Sequence, residues 1–141
     1  MYRKNTDELQ EELMDSPDLS RFLRDNRDSF RNSSFSQLLQ ELFDRRDISK
    51  ATLAKRAGMS EVYLHQLFAG GRNPSRNRIL CLCLGLSATL EETQDLLVGS
   101  GNAALYARER RDAIILYGLL HGLEPNEVND LLFSENEKTL F

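Results

Sequence analysis

The chain has 141 residues, of which 40% are hydrophobic and 28% charged. That length suits one domain, or one domain with arms, and the apolar content is enough to bury a core of ordinary size. The net charge of −4, taken over the whole chain, argues against a nucleic-acid partner, and no apolar run approaches the roughly eighteen residues of a membrane-spanning helix.

The first residues, MYRKNTDELQEEL, are charged where a secretory signal needs an apolar stretch, so a cytoplasmic location without membrane attachment is expected. Residues 1–34 read as an amino-terminal helical arm. Ser16 can cap a helix with Pro17 in its first position, which divides the arm into helices near 7–14 and 17–25. Leu9, Leu13 and Met14 on the first, and Leu19, Phe22 and Leu23 on the second, give each an apolar face too small to be stable alone. They must pack on their own domain or on a second subunit. The stretch NRDSFRNSS, from Asn26 to Ser34, has turn composition around Phe30 and reads as a link.

From residue 35 the apolar positions fall at helical spacing, with one stripe at Phe35, Leu38, Leu39, Leu42 and Phe43 and another at Ile79, Leu80, Cys83 and Leu84. No segment alternates as a strand does, so an all-α protein is expected. Between the stripes lies ISKATLAKRAGMSEVYLHQLFAGGRNPSRNR, which ends at Arg78. Ser49 can cap a helix over Lys50 to Ala57, Gly58 supplies the positive φ that ends it, and Ser60 can cap the next helix at once. So short a turn makes the two helices cross steeply. Leu53, Ala54 and Ala57 then face Leu64, Leu67 and Phe68, while Glu61, Val62, His65 and Gln66 lie on the free face of the second helix. Side chains placed there can reach base edges in a major groove.

Ser49, Leu53, Ala54, Gly58, Ser60, Leu64, Gly70, Pro74 and Ser75 together resemble the pattern of the Cro/C1-type (XRE) helix-turn-helix family, over roughly residues 35–87. The resemblance implies a lambda-repressor-like domain and double-stranded DNA as partner. It implies base reading by Glu61, Val62 and Gln66 at the start of the third helix, with Lys50 on the backbone or an outer base. Arg72, Asn73, Ser75 and Arg76 would follow the phosphates, with Lys55 as a further phosphate contact. Glu61 departs from expectation, since a carboxylate can accept from cytosine but is repelled by every phosphate nearby. Charge is distributed to match. Residues 35–87 hold eight Lys/Arg against four acids, whereas residues 1–34 are net −2 and residues 88–141 net −6.

Cys81 and Cys83, two apart on a helix, diverge by about 200° and read as core thiols. Residues 88–141 form a helical extension expected to pack on the same core. There the segment from Gly85 to Leu97 resembles Gly122 to Leu132, as if one helical hairpin were used twice. Thr89 and Glu92 make a capping box in the first, and Pro125 starts the helix of the second with Glu127 in its first turn. Helices near 107–121 and 125–133 are expected. The run Ala113 to Leu120 is apolar almost all round, so its helix is central in the core or buried between subunits. Arg108, Arg110 and Arg111 stand at its start, where cations oppose the helix dipole. Salt-bridged packing with Glu109 and Asp112 accounts for them better than a second phosphate contact or an acidic partner. The stretch from Tyr106 to Leu132 also resembles carboxy-terminal extensions of some bacterial XRE-like proteins.

No phosphate-binding loop of the G-x-x-x-x-G-K-[ST] type is present, and His65 and His121 lack metal-ligand spacing, so neither an enzyme, a cofactor nor a metal is expected. Two readings follow. One is a sequence-specific DNA-binding regulator, a homodimer held through residues 113–120 with Leu131, Leu132 and Phe133 or, second, through the arm. The other is a non-enzymatic interaction module that keeps the helix-turn-helix as a scaffold and takes a protein partner on its carboxy-terminal helices.

Overall fold

The structure, a computed structural model, describes residues 4–27 and 34–141. Among them the regular elements are all helical. The link expected around Phe30 lies outside the described residues. The chain divides into two compact units, Met1–Asn32 and Ser33–Phe141.

In the first unit, α1 (Thr6–Asp15) is capped by Asn5, whose side chain accepts from the Glu8 N–H. The expected cap at Ser16 is corrected. Ser16 closes α1, and α2 (Leu19–Asp25) is instead capped by Asp18, whose carboxylate accepts from the Ser20 N–H. A carboxylate at that position is favoured by the dipole as well as by the hydrogen bond. Asn26 is buried and its amide bridges the two helices, donating to Glu12 at 2.9 Å and accepting from Lys4 at 2.7 Å. Phe22 is buried beside it, but α1 buries no residue at all.

In the second unit, α3 (Phe35–Asp44) begins at a capping box made by Ser34 and Gln37 and buries Leu39 and Leu42. α4 (Lys50–Ala57) and α5 (Glu61–Phe68) follow, then α6 (Arg76–Gly85), α7 (Leu90–Gly99), α8 (Arg110–Leu120) and α9 (Pro125–Ser134). The core is centred on α6, in which every residue from Ile79 to Gly85 is buried. Of the two places that periodicity allows for 113–120, the centre of the core or a subunit interface, the first is taken by α6 instead. α8 buries Asp112, Ile115 and Gly118 while Tyr117 and Leu120 stay exposed. α8 also starts at 110 rather than 107, because Glu109 closes a turn onto the Tyr106 carbonyl before the first helical hydrogen bond, Ala113 N–H to Glu109, is made. Both cysteines are buried free thiols. Desolvation pushes Cys81 up to about 11 and Cys83 up to about 12, leaving them inert as nucleophiles.

The resemblance between the α6–α7 and α8–α9 hairpins recurs in their hydrogen bonds at a constant offset of 35 residues. The Ala88 N–H bonds to the Cys83 carbonyl as Leu123 does to Gly118. The second helices end alike, with Asn102 to Leu97 and Glu137 to Leu132. Gln94 holds the Leu105 backbone, and Asn129 holds that of Leu140. Arg76 clamps the carbonyls of Ala103 and Ala104, and Arg111 those of Lys138 and Thr139. The offset also corrects the sequence pairing of Gly85 with Gly122, since the residue matching Gly122 (φ 68°) is Ser87 (φ 52°).

The hairpins meet reciprocally. Arg76 of the first reaches Asp112 of the second, and Arg111 of the second reaches Asn77 of the first, at 3.0 Å in each case. Asn77 and Asp112 are themselves 35 apart, so each arginine crosses to its own counterpart's neighbour, the exchange that a two-fold relation produces.

Candidate nucleic-acid interface

The turn at the centre of the candidate site follows from three local choices. Ser49 accepts from the Thr52 N–H to open α4, Gly58 takes the left-handed conformation (φ 70°) that closes it, and Ser60 accepts from the Tyr63 N–H to open α5. A side chain at Gly58 would be strained there, and its Cβ would also stand 3.4 Å from the Phe141 ring. Across the turn Leu53, Ala54 and Ala57 are buried with Leu64 and Leu67, the packing expected of steeply crossed helices. Phe68 is half-buried and meets Phe43 edge to face, with ring centroids 5.2 Å apart.

The outward face of α5 is as the sequence indicates. Glu61 and His65 are exposed, Val62 is 69% exposed, and Gln66 is half-buried. Gln66 is not an independent group, because its side-chain oxygen accepts from Arg72 Nε at 2.9 Å. Arg72 also lies 5.6 Å from the Tyr63 ring, which Arg78 covers from 4.5 Å. Tyr63 and Arg78, which sequence reasoning did not single out, therefore join the site by stacking. The available signal was an aromatic three residues into the second helix with arginines following it.

Of the expected phosphate contacts, Lys50 is half-buried with its ammonium 4.4 Å over the Phe68 ring. Lys55, Arg72 and Asn73 are exposed. Ser75 is exposed, but its hydroxyl accepts from the Arg78 N–H and caps α6. Arg76 is corrected. Its guanidinium turns inward, forms a bidentate pair with Asp112 at 3.0 and 3.1 Å, and is further occupied by two backbone carbonyls. Burial alone would raise the Asp112 carboxyl. The hydrogen bonds from Arg76 and the Tyr106 N–H outweigh this and hold it below its ordinary value.

Of the arginines at the start of α8 only Arg110 is packed by ion pairs, and not with Glu109 and Asp112 as expected. Arg110 pairs with Glu135 and Glu137, and Arg111 takes backbone carbonyls and Asn77. Across the unit the ion pairs sort the basic residues into two groups. Arg45 and Arg46 pair with Glu92, Arg56 with Glu124, and Arg76 with Asp112. Within residues 34–96, Lys50, Lys55, Arg72 and Arg78 have no such carboxylate, and all four belong to the helix-turn-helix or the loop and helix start behind it. The acidic extension thus neutralises the arginines that face it and leaves the reading side basic.

Residues 34–96, from the cap of α3 into α7, match a family model described as a helix-turn-helix domain. No curated protein and no solved structure matches the chain. The chain therefore carries a helix-turn-helix domain of the Cro/C1 kind, and the fold is all-α with carboxy-terminal helices added to it. Helix-turn-helix domains are a DNA-binding class, which sets the coarse function. No helix among the described residues is long and apolar enough to cross a membrane.

Proposed function

We propose that the protein is a sequence-specific DNA-binding transcriptional regulator, presenting α5 to a major groove of double-stranded DNA and acting as a homodimer on paired half-sites. The observation that carries this reading is the sorting of charge. Four cations without ion-pair partners lie in the helix-turn-helix and the loop and helix start that follow it, two of them, Arg72 and Arg78, against α5 itself, while the remaining basic residues of the domain are tied to acids. Lys50, Lys55, Arg72 and Arg78 serve the phosphates, with Asn73 and Ser75 on the same loop. Glu61, Val62, His65 and Gln66 face the bases. Gln66 and Arg72 act as a pair, so the arginine sets which way the amide points. Pairing of subunits follows from the limited reach of a single recognition helix, since two-fold partners on half-sites about 34 Å apart supply the missing address.

A salt titration on random duplex DNA tests the electrostatic core of the proposal. Four neutralised phosphates per subunit give a log–log slope of about −3.6, and about twice that for a dimer. Arg78→Ala and Arg72→Ala should each reduce the slope by about one, whereas Arg76→Ala should leave it unchanged. Absence of binding at low salt would shift the reading to the interaction module, whose supporting observation is the exposed carboxylate of Glu61 on the reading face.

A further inference from the structure

α5 ends in a turn that carries the chain back along its own last residues. The Ala69 N–H bonds to the His65 carbonyl, Gly70 takes the left-handed conformation (φ 82°), and the Gly71 N–H donates to the Gln66 carbonyl at 3.0 Å. Arg72 comes next, so the turn sets its guanidinium beside the Gln66 side chain, where Nε donates to Oε1 at 2.9 Å. The Tyr63 ring, 5.6 Å from that guanidinium, steadies it, and Tyr63 lies one turn before Gln66 on the same helix. Tyr63, Gln66 and Arg72 thus form one local cluster, built by α5 and its own exit turn.

This contact settles what a glutamine alone leaves open. One end of the amide accepts and the other donates, and a half-turn about the last side-chain bond exchanges them. A guanidinium has donors only, so the end that faces Arg72 is the oxygen. The amide nitrogen is turned away from Arg72 and has no protein partner among the described residues. No buried side-chain polar atom among them lacks a partner, so this nitrogen lies at the surface. Base edges in a major groove respond differently to an outward donor. Guanine offers N7 and O6 as acceptors, adenine N7 and thymine O4, whereas cytosine presents only its N4 donor.

We propose that Arg72 is the positioning residue of the reading face, holding Gln66 with its amide nitrogen toward the groove so that Gln66 accepts acceptor-bearing bases and rejects cytosine. Gln66 has this role only if α5 enters the groove as proposed above, on which the inference rests; the class of base and the residue that imposes it are the new elements. The remaining guanidinium nitrogens of Arg72 stay available to a phosphate, so one side chain both anchors the loop and orients the reader.

Selection of a random-sequence duplex library by the full chain, with sequencing of the bound fraction, tests the proposal, and circular dichroism confirms the helix content of each variant. The position whose preference disappears in Gln66→Ala is the one that Gln66 reads. There the parent should disfavour cytosine by about fivefold or more, the lower end of what such a contact discriminates. Arg72→Leu should bring cytosine within about twofold of the other bases at that position and leave the other positions unchanged. Arg78→Leu also removes a cation, but should weaken all sequences alike and keep the profile. Glutamate at the reading position separates orientation from charge. A carboxylate accepts at both ends, so Gln66→Glu should turn the preference toward cytosine, and equally so when Arg72→Leu is added. Cytosine accepted by the parent, a parental profile in Arg72→Leu, or a Gln66→Glu preference that needs Arg72 would each overturn the positioning role. Any of these in a parent that still enriches defined sequences leaves the regulator reading standing, whereas a parent that enriches none removes both.

Discussion

The α6–α7 and α8–α9 hairpins share the capping boxes of their second helices, their arginine clamps and the side-chain amides that hold the following backbone, yet one forms the centre of the second unit and the other its margin. Gly85 and Leu120, 35 residues apart, show the cause. Gly85 is buried, and a Cβ there would stand 3.2 Å from a Leu53 methyl group, so α4 crosses α6 at a point where only a glycine fits without displacement. Leu120 occupies the equivalent place with no helix against it and is exposed. Local hydrogen bonding sets the shape of a hairpin, but the helices laid over it decide which of its side chains become core. The helix-turn-helix lies mainly over the first hairpin and touches the second only where α4 meets α9.

The largest expected difference between the hairpins is in their matched arginines. Arg76→Leu removes the partner of Asp112, a carboxylate only 7% exposed, and leaves a buried charge held by one backbone N–H. Breaking a buried pair in this way costs about 3–5 kcal/mol. Arg111→Leu removes hydrogen bonds to a neutral amide and two carbonyls, and should cost about 1 kcal/mol. Urea unfolding of both variants checks the contrast, and equal losses would show that charge at Asp112 is not what separates the two clamps.

Glu92 and Glu127 provide the second contrast. Both accept the N-cap N–H of their own helix, from Thr89 and Glu124. Only Glu92 also meets an arginine of the overlying domain, with Arg46 as the main cause and Arg45 adding to it, and its carboxyl is held down at about 2. A carboxyl ordinarily near 4.5 and lowered in the fold stabilises fully above its unfolded value, and that stability is lost as pH falls from about 4.5 toward 2. The contribution is on the order of 3 kcal/mol at neutral pH. Glu92→Gln should therefore lower stability at pH 7 and flatten the acid limb of the stability profile below pH 4.5. A variant that retains the parent's acid limb would place the pH dependence elsewhere.

Gly118 tests how far the hairpins tolerate each other's residues. It matches Cys83, whose thiol packs near Thr93, whereas Gly118 faces Val128. Its backbone is helical, so alanine would gain about 1 kcal/mol of propensity. A Cβ built there would nevertheless fall 2.3 Å from a Val128 methyl group, and Val128 is fully buried with little rotamer freedom. Overpacking of this kind costs about 1–3 kcal/mol. Gly118→Ala should destabilise, and adding Val128→Ala should recover part of the loss. Additive losses in the double variant would disprove the clash.

Sequence reading reached furthest where the determinants are local. The caps at Ser49, Ser60 and Thr89, the glycine at Gly58 and the apolar stripes all act within a turn or two of themselves, and they give the helix-turn-helix and its exposed face directly. The repeat is visible in sequence at its end, where Asp95, Leu96 and Leu97 match Asp130, Leu131 and Leu132, but its start is hidden because glycine is the usual sign of a left-handed helix end and Ser87 holds that place. Arg76 escapes sequence reading for another reason. It sits in a basic loop by sequence, while the carbonyls and carboxylate that capture it lie 27 to 36 residues further on. The stacking of Arg72 and Arg78 on Tyr63 depends likewise on where the loop returns after α5.

The smallest expected effect tests that hidden position. Ser87 and Gly122 perform the same task, each in the left-handed region at φ 52° and 68° after an apolar helix. Ser87 is exposed, and its N–H bonds to the Leu84 carbonyl as the Gly122 N–H does to Leu119, so the backbone geometry rather than the side chain defines the turn. A residue with a Cβ is disfavoured there by about 1–2 kcal/mol relative to its ordinary conformations, and glycine is not, although glycine loses more chain entropy on folding. The two terms nearly cancel, leaving a net gain of about 0.5 kcal/mol for Ser87→Gly. The reverse change, Gly122→Ala, should cost about 1 kcal/mol even though no atom stands within 4 Å of the added Cβ, because the strain lies in φ alone. Opposite signs for the two variants in parallel urea titrations would confirm that the hairpins share one turn. A destabilising Ser87→Gly would mean that the serine side chain contributes something its glycine counterpart lacks.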